Sequence, residues 1–195
     1  MKKQTYLLLA ALLLITLSGC SKEKPYKQGL LTETGYENEY LNLRFTLPEG
    51  AELLPEEHRD KYTTEVTMPD NGQHKMDERA GLNTCEMIAW TPGVPMFFIS
   101  TKMEKNSMTA DEYIDYLIVT NRSISESSSV ETIELAGRTF TKLSTDNSSA
   151  SWDYLYSKCT ENSFVCISVQ YNDDTQEQKD ALLQGFTQLH DEADA

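Results

Sequence analysis

Segments in which apolar and polar residues alternate recur along this chain, and they constrain its fold more than any other feature. The alternation is clearest from Tyr40 to Leu47, where every second residue is apolar. Such alternation places one face of a β-strand against a core. Further strands are predicted at 85–91, 96–103, 130–135, 139–143, 152–159 and 164–171.

Two capping boxes predict helices that accompany these strands. Thr109 and Glu112 are spaced to satisfy free backbone donors at a helix start, and the apolar residues up to Ile124 fall mostly on one stripe. The same pattern at Thr175–Gln178 predicts a C-terminal helix. Its predicted core face consists of Leu182, Phe186 and Leu189. The expected class is α+β, an antiparallel sheet with helices packed on it.

The last hairpin, over residues 152–171, has two possible registers. A turn at Glu161–Asn162 sets Tyr154 opposite Val169, and it leaves Cys159 and Cys166 diagonal, with Cβ atoms roughly 7–8 Å apart. A turn at Asn162–Ser163 sets the two cysteines opposite each other, which suits the roughly 3.5–4.5 Å that a disulfide needs. Better aromatic pairing favours the first register. We therefore predict that Cys85, Cys159 and Cys166 are free and mostly buried thiols.

The stretch from Pro55 to Thr84 is polar and is expected to form a long surface excursion. Its first half fits either a helix opened by Pro55 or a strand through Tyr62, Thr64 and Val66, and periodicity does not decide between them. Pro69–Gly72 indicates a turn.

The N-terminal run is apolar, follows Lys2 and Lys3, and ends in Leu17-Ser18-Gly19-Cys20. A basic start and a short apolar stretch indicate a secretory signal rather than a spanning helix. The four final residues resemble the lipobox of bacterial lipoproteins. This resemblance implies cleavage before Cys20 and a diacylglyceryl group on its thiol, and two acyl chains hold a domain on a membrane. We therefore expect a lipid-anchored protein on the extracytoplasmic face of the cell membrane, periplasmic or at the cell surface.

The predicted organisation has four parts. A signal peptide spans 1–19, lipidated Cys20 begins a flexible tether that reaches residue 38, one domain spans 39–190, and a disordered acidic tail spans 191–195. Loss of residues 1–19 removes Lys2 and Lys3 and no acid, so the net charge of −14 becomes −16. A surface this acidic repels phosphate backbones, so no nucleic-acid partner is expected.

The domain also resembles the PsbP-like (Mog-like) domains of small bacterial lipoproteins. The resemblance rests on the opening strand Tyr40–Gly50 with its Pro-Glu-Gly end, the mid-chain helix, the hairpin at Leu135–Phe140, and aromatic strands followed by a terminal helix. It implies an α/β/α sandwich used as a binding or assembly module, with no catalytic residues.

Catalytic signatures are absent from the sequence. It contains no Gly-x-Ser-x-Gly elbow, no His-Glu-x-x-His helix, no phosphate-binding glycine loop and no calcium-loop spacing. His58 and His74 have acidic neighbours, but both lie in the polar excursion and are expected to face water. No enzymatic activity, cofactor or metal is therefore expected.

Two groups of apolar residues are candidate partner surfaces. Trp90, Pro92 and Val94 lie beside a rigid turn and could form an exposed loop tip, although core packing is the alternative. The row Trp152, Tyr154 and Tyr156 is either sheet packing or a flat aromatic face suited to sugar rings or a peptide.

The leading hypothesis is a non-enzymatic envelope lipoprotein that binds or assembles with an unknown envelope protein or glycan. The alternative is a metal- or glycan-binding, or weakly catalytic, module that uses the acids and histidines of the excursion over residues 55–84.

Replacing Cys20 by Ala tests the lipid anchor. The change removes the thiol that the lipobox presents, so we expect loss of labelling by a fatty-acid analogue and loss of membrane retention. A Cys20→Ala protein that still labels and still fractionates with membranes contradicts the lipoprotein interpretation.

Overall fold

The computed structural model describes residues 26–67, 79–104 and 107–190. The lipobox with Cys20, the turn signal at 69–72, His74 and the acidic tail lie outside these residues. No helix in the described part of the chain is both long and apolar enough to cross a bilayer.

The largest element of the described chain is one antiparallel sheet of eight strands. Its strands are β4 (Glu52–Leu53), β5 (Thr64–Thr67), β6 (Arg79–Thr91), β7 (Val94–Met103), β8 (Ser127–Leu135), β9 (Arg138–Asn147), β10 (Ala150–Thr160) and β11 (Ser163–Tyr171). They follow the order β4-β6-β7-β11-β10-β9-β8, and β5 also pairs with β6. Six of the segments predicted from the sequence lie in this sheet, which confirms those predictions.

A second, smaller sheet was not expected. It consists of β1 (Leu30–Thr32), β2 (Gly35–Asn38), β3 (Leu43–Thr46) and β12 (Phe186–Gln188), in the order β1-β2-β3-β12. The predicted opening strand is β3, and its apolar residues are buried as the alternation required. The prediction of a flexible tether up to residue 38 is wrong at its C-terminal end, because β1 and β2 are ordered and Tyr36 is fully buried.

Within the described ranges, three α-helices accompany the sheets: α1 (Glu56–Arg59), α2 (Ala110–Ile124) and α3 (Gln176–Gln184). The capping box of α2 is confirmed, since Thr109 Oγ1 accepts from Glu112 N–H and the Glu112 carboxylate accepts from Thr109 N–H. In the polar excursion, α1 and a 3-10 turn at Asp60–Tyr62 are followed by strand β5, so both alternatives occur in succession.

The C-terminal region departs from the prediction. Thr175 makes no side-chain cap to α3, and the capping box lies instead at Asn172 and Thr175, on a preceding 3-10 turn. The helix ends at Gln184, because Gly185 lies so close to β3 that a Cβ there would sit 2.6 Å from the Thr46 carbonyl oxygen. Phe186 therefore belongs to strand β12 and not to a helical face.

The large sheet has two differently covered faces. We call the face under the smaller sheet and α3 the inner face, and the face under α2 the outer face. The inner core includes Tyr36, Phe45, Phe98, Leu155 and Ile167. The outer core includes Val66, Ile114, Leu143, Tyr156 and Phe164. The architecture is thus α+β, as expected, and dominated by sheet, with a second sheet in addition.

A buried ion pair holds α3 on the inner face. Asp153 is fully buried, and its Oδ2 lies 3.2 Å from Lys179 Nζ. Ser144 Oγ and Tyr171 Oη donate to the same carboxylate at 2.7 and 3.2 Å. These partners satisfy a charge that burial would otherwise penalise.

The last hairpin contains a β-bulge that changes its register. The turn lies at Glu161–Asn162 as predicted, but the pairing shifts between Lys158 and Thr160, so that Cys159 has no direct partner. Tyr154 therefore faces Ser168 instead of Val169. Cys159 packs against the inner core and Cys166 against the outer core. All three described cysteines are free, as predicted, and the two hairpin thiols lie on opposite faces of the sheet.

The thiols should therefore be unpaired and slow to react in the folded protein. Burial raises the pKa of Cys85 to about 11 and of Cys166 to about 12, and it also raises the pKa of Cys159. At pH 8 we expect slow alkylation of the native protein and rapid alkylation of all three thiols after denaturation without reductant, as measured by mass spectrometry. Recovery of a peptide pair linked through Cys159 and Cys166 would contradict this placement.

Candidate functional site

The inner face encloses the carboxylate of Glu86. The β6–β7 pairing shifts between Cys85 and Met87, so Glu86 is the additional residue of a bulge, and it is fully buried. Four donors converge on its carboxylate. They are Tyr36 Oη at 2.6 Å, Ser100 Oγ at 2.6 Å, Gly29 N–H at 3.1 Å and Tyr26 Oη.

The groups around Glu86 are themselves held in place. Arg59 is buried, donates from Nη1 to the Glu86 carbonyl oxygen at 2.8 Å, and forms an ion pair with Glu56. Burial first, and then the Glu86 charge, raises the pKa of both Tyr26 and Tyr36. Both phenols therefore stay protonated and act as donors at neutral pH.

An open cavity of about 830 Å³ lies beside this cluster, near the turn that joins β10 to β11. Tyr26 and Ser100 belong to both the cluster and the cavity wall. Much of the rest of the wall is apolar or aromatic, including Tyr40, Leu82, Cys159 and Val165. Small-molecule sites in proteins have volumes of roughly 300–1,000 Å³ and a similar wall, with a few polar groups that orient the ligand.

The cavity carries two cationic side chains with different surroundings. Arg79 is neutralised by Glu104 at 2.8 Å and Glu65 at 3.6 Å. Lys102 lines the same cavity, is exposed, and forms no ion pair with any described residue. In a chain with a net charge of −14, this ammonium group is available to a ligand's acidic group.

The first predicted partner surface is only partly accessible. Trp90 is 42% exposed and Pro92 is also exposed, but Val94 is fully buried in the inner core. Including Val94 in a partner surface was therefore wrong, because it pairs with Thr91 at the β6–β7 turn and points into the core.

The second predicted surface is an offset stack of rings. Trp152 lies 5.6 Å from Tyr154 with planes at 10°, and Tyr154 lies 6.4 Å from Tyr156 with planes at 7°. Stacking turns each ring face toward the next ring, so the row lacks the continuous flat platform that would suit sugar rings. Tyr156 is buried against Phe164 in the outer core and cannot contact a partner. Trp152 and Tyr154 are half-buried, and their role in partner binding stays a prediction.

The described histidines do not assemble a metal site. His58 contacts Glu57 at 3.5 Å, and His190 contacts Glu39 at 2.8 Å. Within residues 26–67, 79–104 and 107–190, no group of three or more His, Cys, Asp or Glu side chains could hold a metal ion.

Sequence reasoning missed Glu86 and the cavity. One signal was present, because Glu86 is a lone acid inside the apolar run Cys85–Ala89. The cavity itself had no signal, since its wall combines residues from positions 26, 40, 79–104 and 159–165.

Comparison with known proteins identifies no family. No protein-family model matches the chain, and no curated protein matches it in sequence. Among solved structures, the chain is similar to LpqN of Mycobacterium tuberculosis, described as involved in cell envelope biogenesis. The TM-score is 0.45 and the identity 12%, over 74% of this chain and 82% of LpqN. At that similarity the comparison supports no conclusion about activity, and the PsbP-like resemblance stays a prediction.

The substitution Glu86→Gln tests the cluster. An amide places hydrogens where the carboxylate accepts them, so buried donors lose their acceptor, and we expect a loss of about 2–4 kcal/mol in the free energy of unfolding. Urea titration measures this change in the free energy of unfolding. The matched control is Glu65→Gln, an exposed ion-pair partner of Arg79, for which we expect a change below about 1 kcal/mol. Equal effects of the two changes would show that the cluster does not stabilise the fold.

Proposed function

We propose that this protein is a non-catalytic binding module of the cell envelope, tethered to a membrane through lipid on Cys20, which binds a small amphipathic ligand in the cavity on its inner face. The observation that carries this proposal is the open cavity of about 830 Å³ with a largely apolar wall. The PsbP-like assignment and the extracytoplasmic location belong to the same proposal and rest on the sequence.

The wall suggests the chemical class of the ligand. Leu82, Val165 and the rings of Tyr26 and Tyr40 offer contact to an apolar body. Lys102 offers an ion pair at an exposed position of the same wall. An apolar molecule with one acidic group would match both the apolar wall and the Lys102 ammonium group. This favours a small anionic amphiphile over a sugar or a metal ion.

Binding without catalysis is supported by the hydrogen bonds that Glu86 and Ser100 already make to each other and to their neighbours. An ionised carboxylate accepts about four hydrogen bonds. Glu86 already accepts four, one of them from the Ser100 hydroxyl, so it is not free to take a proton from a ligand. Ser100 and Glu86 are therefore better explained as structural groups than as a nucleophile and its base.

This proposal revises the two functions predicted from the sequence. It keeps the non-enzymatic envelope module and adds a ligand site that draws on the end of the excursion over residues 55–84, through Arg79, Leu82 and Thr84. The histidines of the excursion take no part in it.

A fluorescent anionic amphiphile tests the cavity. We expect 1-anilinonaphthalene-8-sulfonate to bind the chain from residue 20 onward carrying Cys20→Ala, with a blue-shifted and enhanced emission. Leu82→Trp should weaken binding by narrowing the cavity, and Lys102→Gln should weaken it about three- to tenfold by removing the cation. Lys61→Gln, an exposed lysine away from the cavity wall, is the matched control and should leave affinity unchanged. Unchanged affinity in both cavity variants would refute the proposed site.

A further inference from the structure

Strand β8 forms an open edge of the large sheet. It is the last strand in the order, with β9 as its paired neighbour, and the pairing runs in register over all nine residues without a bulge. None of its residues is buried. No strand among the described residues pairs with its second backbone edge, which is therefore open to another strand.

The turn after β8 fixes which backbone groups face outward. Ala136 and Gly137 have φ values of 53° and 69°, and they connect the paired residues Leu135 and Arg138. A two-residue turn with two positive φ values closes on a hydrogen-bonded pair. Alternate residues of β8, counted back from Leu135, therefore bond to β9. The N–H and C=O groups that point away from β9 belong to Ser128, Val130, Thr132 and Glu134.

This edge lacks most of the features that usually prevent pairing. Natural edge strands are commonly short, bulged, or carry charged side chains, lysine above all, or proline. Strand β8 has nine residues, no bulge, no lysine and no proline, and its two charged residues are Glu131 and Glu134. The nearest lysine, Lys142 of β9, forms an ion pair with Glu131 at 2.9 Å.

Strand β8 carries an exposed apolar side chain at this edge. Val130 is 43% exposed, and it pairs with Leu143 of the outer core, which places it on the face that carries α2. A strand that pairs with β8 would cover part of this side chain.

We propose that β8 pairs with β8 of a second copy of this chain, antiparallel across a two-fold axis, with Val130 opposite Val130. In this register Ser128 faces Thr132, and Glu131 faces Ser129. If the two-fold axis passed through Glu131 instead of Val130, Glu131 would lie opposite Glu131 of the second copy. Two like charges directly opposite each other are unfavourable. The strand is thus self-complementary, as an isologous interface requires.

The position of the N-terminal segment favours a second copy as the occupant. Two antiparallel strands of one continuous sheet are related by an axis perpendicular to that sheet, so the inner faces of both copies lie on the same side. Tyr26 and Gly29 bond to Glu86 on the inner face, so both N-terminal segments also lie on that side. Two lipid anchors could then enter one bilayer. This step rests on the proposed anchor, whereas the strand pairing does not.

Site-specific crosslinking of the lipidated full-length protein in membranes tests the register. Hydrogen-bonded residues across an antiparallel pair have Cα atoms about 5.5 Å apart, within the range of a disulfide. We expect Val130→Cys to give a two-chain band on a non-reducing gel after mild oxidation. The matched control, Thr132→Cys, faces Ser128 in this register and should remain a single chain. A two-chain band with Thr132→Cys and none with Val130→Cys overturns the proposed pairing.

A backbone variant separates pairing from folding. Proline at position 132 removes an outward N–H and leaves the bonds to β9 intact, so Thr132→Pro should halve the mass measured by light scattering with little change in the thermal midpoint. Thr132→Ala should retain the mass of two chains. A single-chain mass for the unsubstituted protein, or crosslinking of Val130→Cys only to a different protein, overturns the proposal. Loss of amphiphile binding would not affect it, so the two proposals fail independently.

Discussion

The buried carboxylate of Glu86 is the interaction on which the rest of the inner face depends. Taking an ionised group out of water costs several kcal/mol unless partners satisfy it. Its partners come from the N-terminal segment, from β2 and from β7, and its carbonyl oxygen accepts from Arg59 of α1. The cost of leaving the charge unsatisfied therefore favours the state in which the smaller sheet, the segment before it and the large sheet are docked together.

Two bulges explain where the cavity lies. Glu86 and Cys159 are the additional residues of bulges in β6 and β10, and both are directed to the inner face. A bulge bends its strand and raises the local twist. Cys159 lines the cavity, and Glu86 anchors two of the side chains that line it, Tyr26 and Ser100. These two bulges thus lie beside the proposed ligand site, whereas the third irregularity of the sheet, at Ala80, lies in the outer core.

Alternation of residue types was enough to locate the large sheet, because its strands are long and each has a buried side. Of the smaller sheet it located β3 alone, because β1, β2 and β12 have three or four residues, too few to show a period. The bulge at Cys159 was not predicted from the sequence for a related reason, since a period of two assumes that no residue is inserted in the strand. The candidate site could not be assembled from sequence, because Tyr26, Ser100 and Val165 are brought together only by pairing between distant strands.

The docking of Tyr26 on Glu86 would limit how far the domain can stand from a lipid anchor on Cys20. Tyr26, which lies six residues after Cys20, already belongs to the folded structure, whereas the tether prediction placed the start of the domain at residue 39. An extended chain spans at most about 3.6 Å per residue, so this connection reaches no more than about 20 Å. A diacylglyceryl group on Cys20 would therefore keep the Tyr26 side of the cavity within that distance of the lipid head groups. The domain would then act close to the membrane surface and not in the space farther from the bilayer.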